Sequence, residues 1–184
     1  NADWDIFGED ELSLTFRVSE SAGTAFPDDS GGPRYAKLRS VDSRDATEIT
    51  TKVSYSSEIS TVPAYSAGVS VYRRREVFSS DGIAPGLRSS AGIPANLSET
   101  TFDRYDLYLT GGFKLRRNVS AVVGVDFKRE AGVSNGRLLF SGVPIDNRFV
   151  LRRGTIGWFG EGQWEVGPDW ILNASVRLDN LDSR

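Results

Sequence analysis

Alternation of apolar and polar residues along seven separate segments is the feature that most restricts how this chain can fold. In the clearest segment, residues 119–128, every second position is Val, Ala or Phe, and Ser, Gly, Asp and Lys hold most positions between them. A period of two places successive side chains on opposite faces of a β-strand. The chain is therefore predicted to form antiparallel strands with one apolar and one polar face.

The same period defines seven predicted strands, and no helical period competes with it. The strands cover residues 11–18, 46–58, 65–75, 101–113, 119–128, 155–166 and 170–179. Most of them reach the about 9–11 residues that a tilted transmembrane strand needs, whereas soluble strands usually have about 5–6. Residues 1–8 are expected to be the end of a preceding strand and its turn. These lengths favour a membrane barrel over a soluble sheet.

The connections between the strands alternate in length. Short turns are predicted at residues 60–63, 115–118 and 167–169, and long loops rich in Gly, Ser, Pro and Asp at residues 19–44, 79–98 and 131–152. Outer-membrane barrels have short periplasmic turns and long extracellular loops, while a soluble sandwich has less reason to separate them. The predicted fold is all-β, an antiparallel transmembrane β-barrel segment of about seven strands. An odd number of strands does not close the usual bacterial single-chain barrel, so a larger barrel is expected.

Composition excludes several classes of protein. Hydrophobic residues make up 39% of the chain, and no run approaches the about 20 apolar residues of a membrane-spanning helix. Cys and His are both absent, which excludes disulfides, thiolate or His-based zinc sites and a Ser-His-Asp triad within this chain. We therefore expect no enzyme, no metal and no cofactor. A net charge of -3 argues against a nucleic-acid partner.

The two predicted faces supply three groups of candidate functional residues. Candidates for contact with a ligand or a plug domain are the lumen-facing Arg17, Lys52, Arg104, Asp106, Glu161, Glu165 and Arg177. The predicted lipid-facing residues are Val119, Ala121, Val123, Val125, Phe127, Leu172, Ala174 and Val176. Phe113, Trp164 and Trp170 are predicted to form an aromatic girdle at the membrane interface. The alternatives are that the charges merely solvate a wet interior or pair with one another, and that the aromatics cap a soluble core.

Two further features lie at the ends of the predicted strands. Arg73, Arg74 and Arg75 are expected to leave the membrane, where they would either bind lipopolysaccharide phosphates or simply extend the strand into solvent. Loops 79–98 and 131–152 are the candidate extracellular ligand-gating loops, because binding residues are often carried on loops of a rigid scaffold.

Four strand segments resemble the barrel strands of TonB-dependent outer-membrane receptors, similar to the cobalamin and siderophore receptors. The segments read RYDLYLTGGF at 104–113, VSAVVGVDFK at 119–128, GWFGEGQW at 157–164 and WILNASVRLD at 170–179. In that family a strand with the pattern GVD(F/W/Y), a long loop, a G-x-(F/Y)-x-(E/Q) strand and an x-x-x-R-x-D strand follow in this order. The resemblance covers mainly residues 100–184.

The resemblance implies a parent protein that is a 22-stranded barrel with a plug domain in the bacterial outer membrane. Such a receptor imports siderophore-iron, cobalamin or a comparable scarce nutrient with energy from the TonB complex. The implied partners are outer-membrane lipid and lipopolysaccharide, a small-molecule ligand such as a metal chelate, and the TonB complex through parts outside this chain. Residues 1–184 are expected to be a partial barrel domain without the plug, the TonB box or the closing C-terminal strand.

Three alternative functions remain open from the sequence. A passive porin or structural outer-membrane barrel would lack the plug and the TonB box. An outer-membrane enzyme would need catalytic residues outside this chain, because His is absent. A soluble β-sandwich binding module would fold in water and bury the apolar faces that we assign to lipid.

Overall fold

Eight strands form one antiparallel sheet in the computed structural model, which describes residues 2–7, 10–25, 41–57, 64–82, 93–140 and 142–183. They are β1 (Ala2–Phe7), β2 (Asp10–Ala25), β3 (Asp42–Ser57), β4 (Ala64–Ser80), β5 (Ala95–Arg116), β6 (Val119–Phe140), β7 (Val143–Gly167) and β8 (Trp170–Ser183). Each strand pairs with its neighbours in the chain, so the order is β1 to β8 without a crossover. The predicted all-β antiparallel fold is confirmed. No helix within the described ranges is long and apolar enough to cross a membrane.

The first strand corrects the predicted count of seven. β1 pairs with β2 from Ala2 opposite Leu14 to Phe7 opposite Asp10, with an irregularity after Asp5. It is the preceding strand that the sequence indicated at residues 1–8. Within the described residues, β1 and β8 each have only one neighbouring strand, so the sheet is open at both edges.

The prediction of a long loop at residues 131–152 is wrong. β6 continues to Phe140 and β7 begins at Val143, joined by a tight turn in which Gly142 has a φ of 82°. The pairing of β6 with β7 runs from Val119 opposite Trp164 to Phe140 opposite Val143 without a register shift. The segment resembles a loop because Gly, Asn and Pro have low strand propensity. Backbone hydrogen bonds to the partner strand nevertheless continue through it.

The other predicted connections are partly strand. β2 reaches Ala25, β4 reaches Ser80 and β5 begins at Ala95, so the ends of loops 19–44 and 79–98 belong to the sheet. Residues 26–40 and 83–92, and the predicted turn at 60–63, lie outside the described residues. The short turns at 115–118 and 167–169 are confirmed as two-residue turns, each beside a bulge. Asn118 ties the two turns together, since its Nδ2 donates to the Glu165 carbonyl at 3.0 Å.

The strand register aligns the apolar positions of neighbouring strands on one face of the sheet and the polar positions on the other, because paired residues point to the same face. One row of paired residues reads Leu14, Val53, Val69, Leu107, Phe127 and Ile156. The adjacent row on the opposite face reads Thr15, Lys52, Ser70, Asp106, Lys128 and Thr155. We call the first surface the apolar face and the second the polar face.

The apolar residues form a band that runs obliquely across the strands. On β2 the apolar run from Leu12 to Val18 is centred at residue 15, which lies in the same register row as Lys128 of β6. On β8 the run from Leu172 to Leu178 is centred at Ser175, which lies in the row of Val122. The band therefore shifts by six residues over six strand spacings. At about 3.3 Å per residue and about 4.8 Å per spacing, this corresponds to a strand tilt of about 35°.

Candidate functional site

The structure places the sequence-predicted residues on two faces. All seven lumen candidates share the polar face, from Arg17 on β2 to Arg177 on β8. The eight residues predicted to face lipid lie on the apolar face together with Phe113 and Trp164. Trp170 is exposed beside the β7–β8 turn, opposite Gly167. The environment that each face meets, lumen or lipid, stays a prediction.

No second layer covers the apolar face within the part of the chain that the structure describes. Ala46, at 7% exposure, is the only buried hydrophobic side chain among the described residues. Large apolar side chains such as Leu107, Trp158 and Val176 are exposed on the apolar face. A soluble domain buries such a face against another layer, and an exposed apolar patch of this extent marks contact with lipid or protein.

Arg177 organises the first charge cluster of the polar face. Its guanidinium lies 2.9 Å from Asp126 of β6 and 2.8 Å from Asp179 of β8, and 6.0 Å from the centre of the Phe159 ring. Gly157 lies between the two acids in the same register row. A Cβ at Gly157 would contact the Arg177 guanidinium and lie 2.8 Å from Asp126 Oδ2. The cluster therefore depends on the missing side chain of Gly157.

A second cluster lies near the middle of the polar face. Arg104 Nε lies 3.1 Å from Asp106 Oδ2, and Ser70 Oγ donates to the same carboxylate oxygen at 3.3 Å. Lys52 Nζ lies 6.0 Å from the centre of the Tyr108 ring. Among the described residues, the remaining candidates Arg17, Glu161 and Glu165 have no ion-pair partner. Arg104 and Asp106 thus pair with one another, whereas Arg177 pairs with two acids outside the candidate group.

Further pairs on the polar face were not among the predicted site residues. Glu130, at 8% exposure, accepts hydrogen bonds from the Arg153 guanidinium. Arg153 lies between the predicted loop 131–152 and the predicted strand 155–166, so the sequence offered no partner for Glu130. Asp126 and Asp179 did lie on the polar side of the alternation, and strand register would have identified them as partners of Arg177.

The three consecutive arginines alternate between the faces. Arg73 lies 2.7 Å from Asp103, and Arg75 lies 2.7 Å from Glu99, both on the apolar face beyond the band. Arg74 lies on the polar face, between Glu48 at 3.1 Å and Glu76 at 2.5 Å. Each guanidinium therefore already has a carboxylate, which leaves little charge for the lipopolysaccharide phosphates considered above.

The part of the β6–β7 hairpin beyond the band, residues 131–152, reverses the chemistry of the two faces, and we call it the inverted hairpin. The side continuous with the polar face carries Leu138, Phe140, Val143, Ile145, Phe149 and Leu151. Most of these side chains are exposed, Phe149 at 65%. The side continuous with the apolar face carries the charged Arg137, Asp146, Arg148 and Arg152 together with the apolar Val133, Leu139 and Val150. The hairpin thus presents an apolar surface above the polar face of the sheet.

Comparison with solved structures supports this architecture. The sheet resembles part of the RagAB peptide transporter. The match has a TM-score of 0.64 and 11% sequence identity, and it covers 97% of this chain and 27% of a chain in that structure. At this identity the likeness shows a shared fold alone, and the present chain spans about a quarter of its neighbour's length. No protein-family model and no curated protein matches the sequence.

The ion pair on the inverted hairpin gives a prediction about pH. Arg137 Nε donates to Asp146 Oδ1 at 2.7 Å, and this hydrogen bond lowers the pKa of the Asp146 carboxyl below its ordinary value. Because the pKa is lower in the folded state, the pair stabilises the hairpin fully at a pH above the pKa of the unfolded chain. This stabilisation is lost as the pH falls through the pKa of the folded state. We expect carboxyl NMR to give a lower titration midpoint for Asp146 than in Arg137→Gln. Equal midpoints would show that the pair does not persist in solution.

Gly124 gives a prediction about packing on the polar face. A Cβ at Gly124 would lie 2.6 Å from Phe159 Cε1, so the ring must move and its contact with Arg177 must change. We expect Gly124→Ala to lower the free energy of unfolding by about 1 kcal/mol, the low end for overpacking, because a ring can rotate. Gly162→Ala is the control, since nothing lies within 4 Å of a Cβ there. Urea unfolding in micelles measures both variants. Equal losses in the free energy of unfolding would show that Phe159 does not restrict a side chain at Gly124.

Proposed function

We propose that this chain is part of an outer-membrane β-barrel receptor that imports a scarce nutrient. Its apolar face would lie against lipid and its polar face toward the lumen. The observation that carries the proposal is the oblique apolar band. The strand tilt of about 35° that it implies lies at the lower edge of the about 35–45° of transmembrane barrels.

The height of the band agrees with this orientation. From Val119 to Phe127 the run spans eight residue steps, about 26 Å along the strand. Inclined by about 35°, it reaches about 22 Å, close to the about 25 Å of the apolar band in outer-membrane barrels. A soluble sheet has no reason to align its apolar residues on one level across tilted strands.

The receptor class is inferred from two independent likenesses. Four strand segments resemble TonB-dependent receptors, and the sheet shares its fold with part of the RagAB peptide transporter. The parent protein would then couple import to the TonB complex through parts outside this chain. The sequence resemblance suggests siderophore-iron or cobalamin as the cargo. The structural likeness to the RagAB peptide transporter adds a short peptide as a third candidate. The chain itself would carry no catalytic activity.

Ligand or plug contact would fall to charged groups on the polar face that no ion pair occupies. Within the described residues these include Arg17, Lys52, Glu161 and Glu165, whereas Arg104, Asp106 and Arg177 are engaged in ion pairs. Phe113, Trp164 and Trp170 lie near the short turns, where an interfacial girdle on the periplasmic side would be expected.

Refolding in parallel into plain buffer and into detergent micelles tests the membrane assignment. We expect circular dichroism and size-exclusion chromatography to show β-structure in micelles and aggregation in buffer, because the apolar band and both edge strands are uncovered. A monodisperse β-protein with a cooperative melt in buffer would overturn the proposal in favour of a soluble binding module.

A further inference from the structure

We propose that Arg129 and Arg152 form a binding site for the phosphates of an outer-leaflet glycolipid, of the kind found in lipopolysaccharide. The site lies on the apolar face, where the band ends on β6 and β7. The proposal rests on the orientation given under Proposed function, with this face toward lipid.

The site combines an apolar floor with a cationic rim. Arg129 follows Phe127 by two residues on the same face, and Arg152 lies diagonally opposite on β7, since it pairs with Ala131 while Arg129 pairs with Gly154. Phe127, Ile156 and the two arginines line a cavity of about 480 Å³. Nothing lies within 4 Å of a Cβ built at Gly154, so the cavity is open above this residue, which lies opposite Arg129. Acyl chains would contact the floor while a phosphate meets the rim.

The charges of Arg129 and Arg152 are not neutralised by an ion pair within the described residues. Three other arginines beyond the band on this face, Arg73, Arg75 and Arg137, each have a carboxylate at 2.7 Å. Arg148, farther along the hairpin, has no ion pair within the described residues. Asp182 also lines the cavity, opposite Gly154, and it offsets part of the positive charge. Glu130 lines the cavity too, but its carboxylate is bound by Arg153.

Guanidinium groups are suited to phosphate, because their planar array of donors matches two phosphate oxygens at once. Two of them over an apolar floor match a lipid that carries phosphates directly above its acyl chains. The leaflet follows from the turns: the two-residue turns at Arg117–Asn118 and Pro168–Asp169 lie at the other end of these strands. At the site's own end, β6 and β7 continue past the band to Phe140 and Val143 before they turn. The longer extensions of outer-membrane barrels are extracellular, so the site lies in the extracellular leaflet, where the phosphorylated glycolipid is found.

The test is titration of the chain in detergent micelles with bisphosphorylated lipid A, followed by native mass spectrometry. The test variant is Arg129→Gln with Arg152→Gln. The control is Arg73→Gln with Arg75→Gln, which removes the same charge from the same face at sites that already have carboxylates. We expect at least about a tenfold loss of affinity for the test variant and less than about twofold for the control, because charge-assisted hydrogen bonds are lost only in the first.

Lipid A without phosphates, and phosphatidylglycerol, distinguish the source of the phosphate. Weaker binding of both lipids would support the glycolipid site. Equal affinity for phosphatidylglycerol, or an unchanged affinity of the test variant, would overturn it. Circular dichroism of each variant in micelles separates this result from a failure of the proposed function, since a wild-type chain that does not form β-structure in micelles would contradict the membrane assignment itself.

Discussion

Val123→Arg is expected to lower the free energy of unfolding of the membrane-inserted protein by about 2–4 kcal/mol, the cost of a cation at the bilayer midplane of a β-barrel. Val123 lies at the centre of the apolar run on β6 and is 50% exposed. In the proposed orientation its side chain meets hydrocarbon, where an ammonium or guanidinium group loses its hydration without gaining a partner.

Val122→Arg is the matched control, one residue away in the same strand. Val122 is 39% exposed on the polar face and lies opposite Glu161, which can accept the new cation. We expect this variant to change the stability by less than about 0.5 kcal/mol, as for most exposed substitutions. Urea unfolding in lipid vesicles, followed by tryptophan fluorescence, measures both. Equal losses would show that the two faces meet the same environment and would contradict a transmembrane sheet.

Gly82→Ala is expected to destabilise the end of β4 by about 2–4 kcal/mol, from left-handed backbone strain and overpacking together. Gly82 has a φ of +79°, which favours glycine. A Cβ there would also contact the Ile93 carbonyl oxygen and lie 2.8 Å from the Ala95 nitrogen. These are backbone atoms of the neighbouring segment, so no side-chain rotation relieves the overlap.

Gly142→Ala separates the two contributions. Gly142 has nearly the same φ, +82°, but nothing lies within 4 Å of a Cβ. We therefore expect only the conformational cost of about 1–2 kcal/mol there. Thermal unfolding of the two variants in micelles compares them directly. A loss at Gly142 as large as that at Gly82 would mean that the contact with the Ile93 carbonyl does not restrict the substitution.

The faces of the sheet could be predicted from the sequence because residues that pair across neighbouring strands point to the same face. Five strands lie between those of Arg17 and Arg177, yet alternation within each strand predicts that both lie on the polar side, and the register joins those sides into one surface. The same logic grouped Val119 with Val176. Neither assignment needed knowledge of which residue lies opposite which.

The partners within each face required the register itself. Arg177 and Asp126 are 51 residues apart in the chain and meet only because β6, β7 and β8 are aligned. The inverted hairpin was missed for a different reason. Its alternation of apolar and polar residues is offset from that of the band, and Gly136 and Pro144 lower its strand propensity, so the local sequence resembles a loop. Pairing with the partner strand nevertheless keeps both segments in the sheet.

The reversal of polarity along β6 and β7 also fixes how deep the sheet can lie in a bilayer. On the apolar face the first cations follow the band at once, with Arg129 two residues after Phe127 on β6 and Arg152 four residues before Ile156 on β7. Sliding inward by one residue pair, about 7 Å, would bring guanidinium groups into hydrocarbon, and sliding outward would hydrate Phe127. In a membrane of another thickness we expect the lipids next to this hairpin to stretch or compress while the strands keep their level.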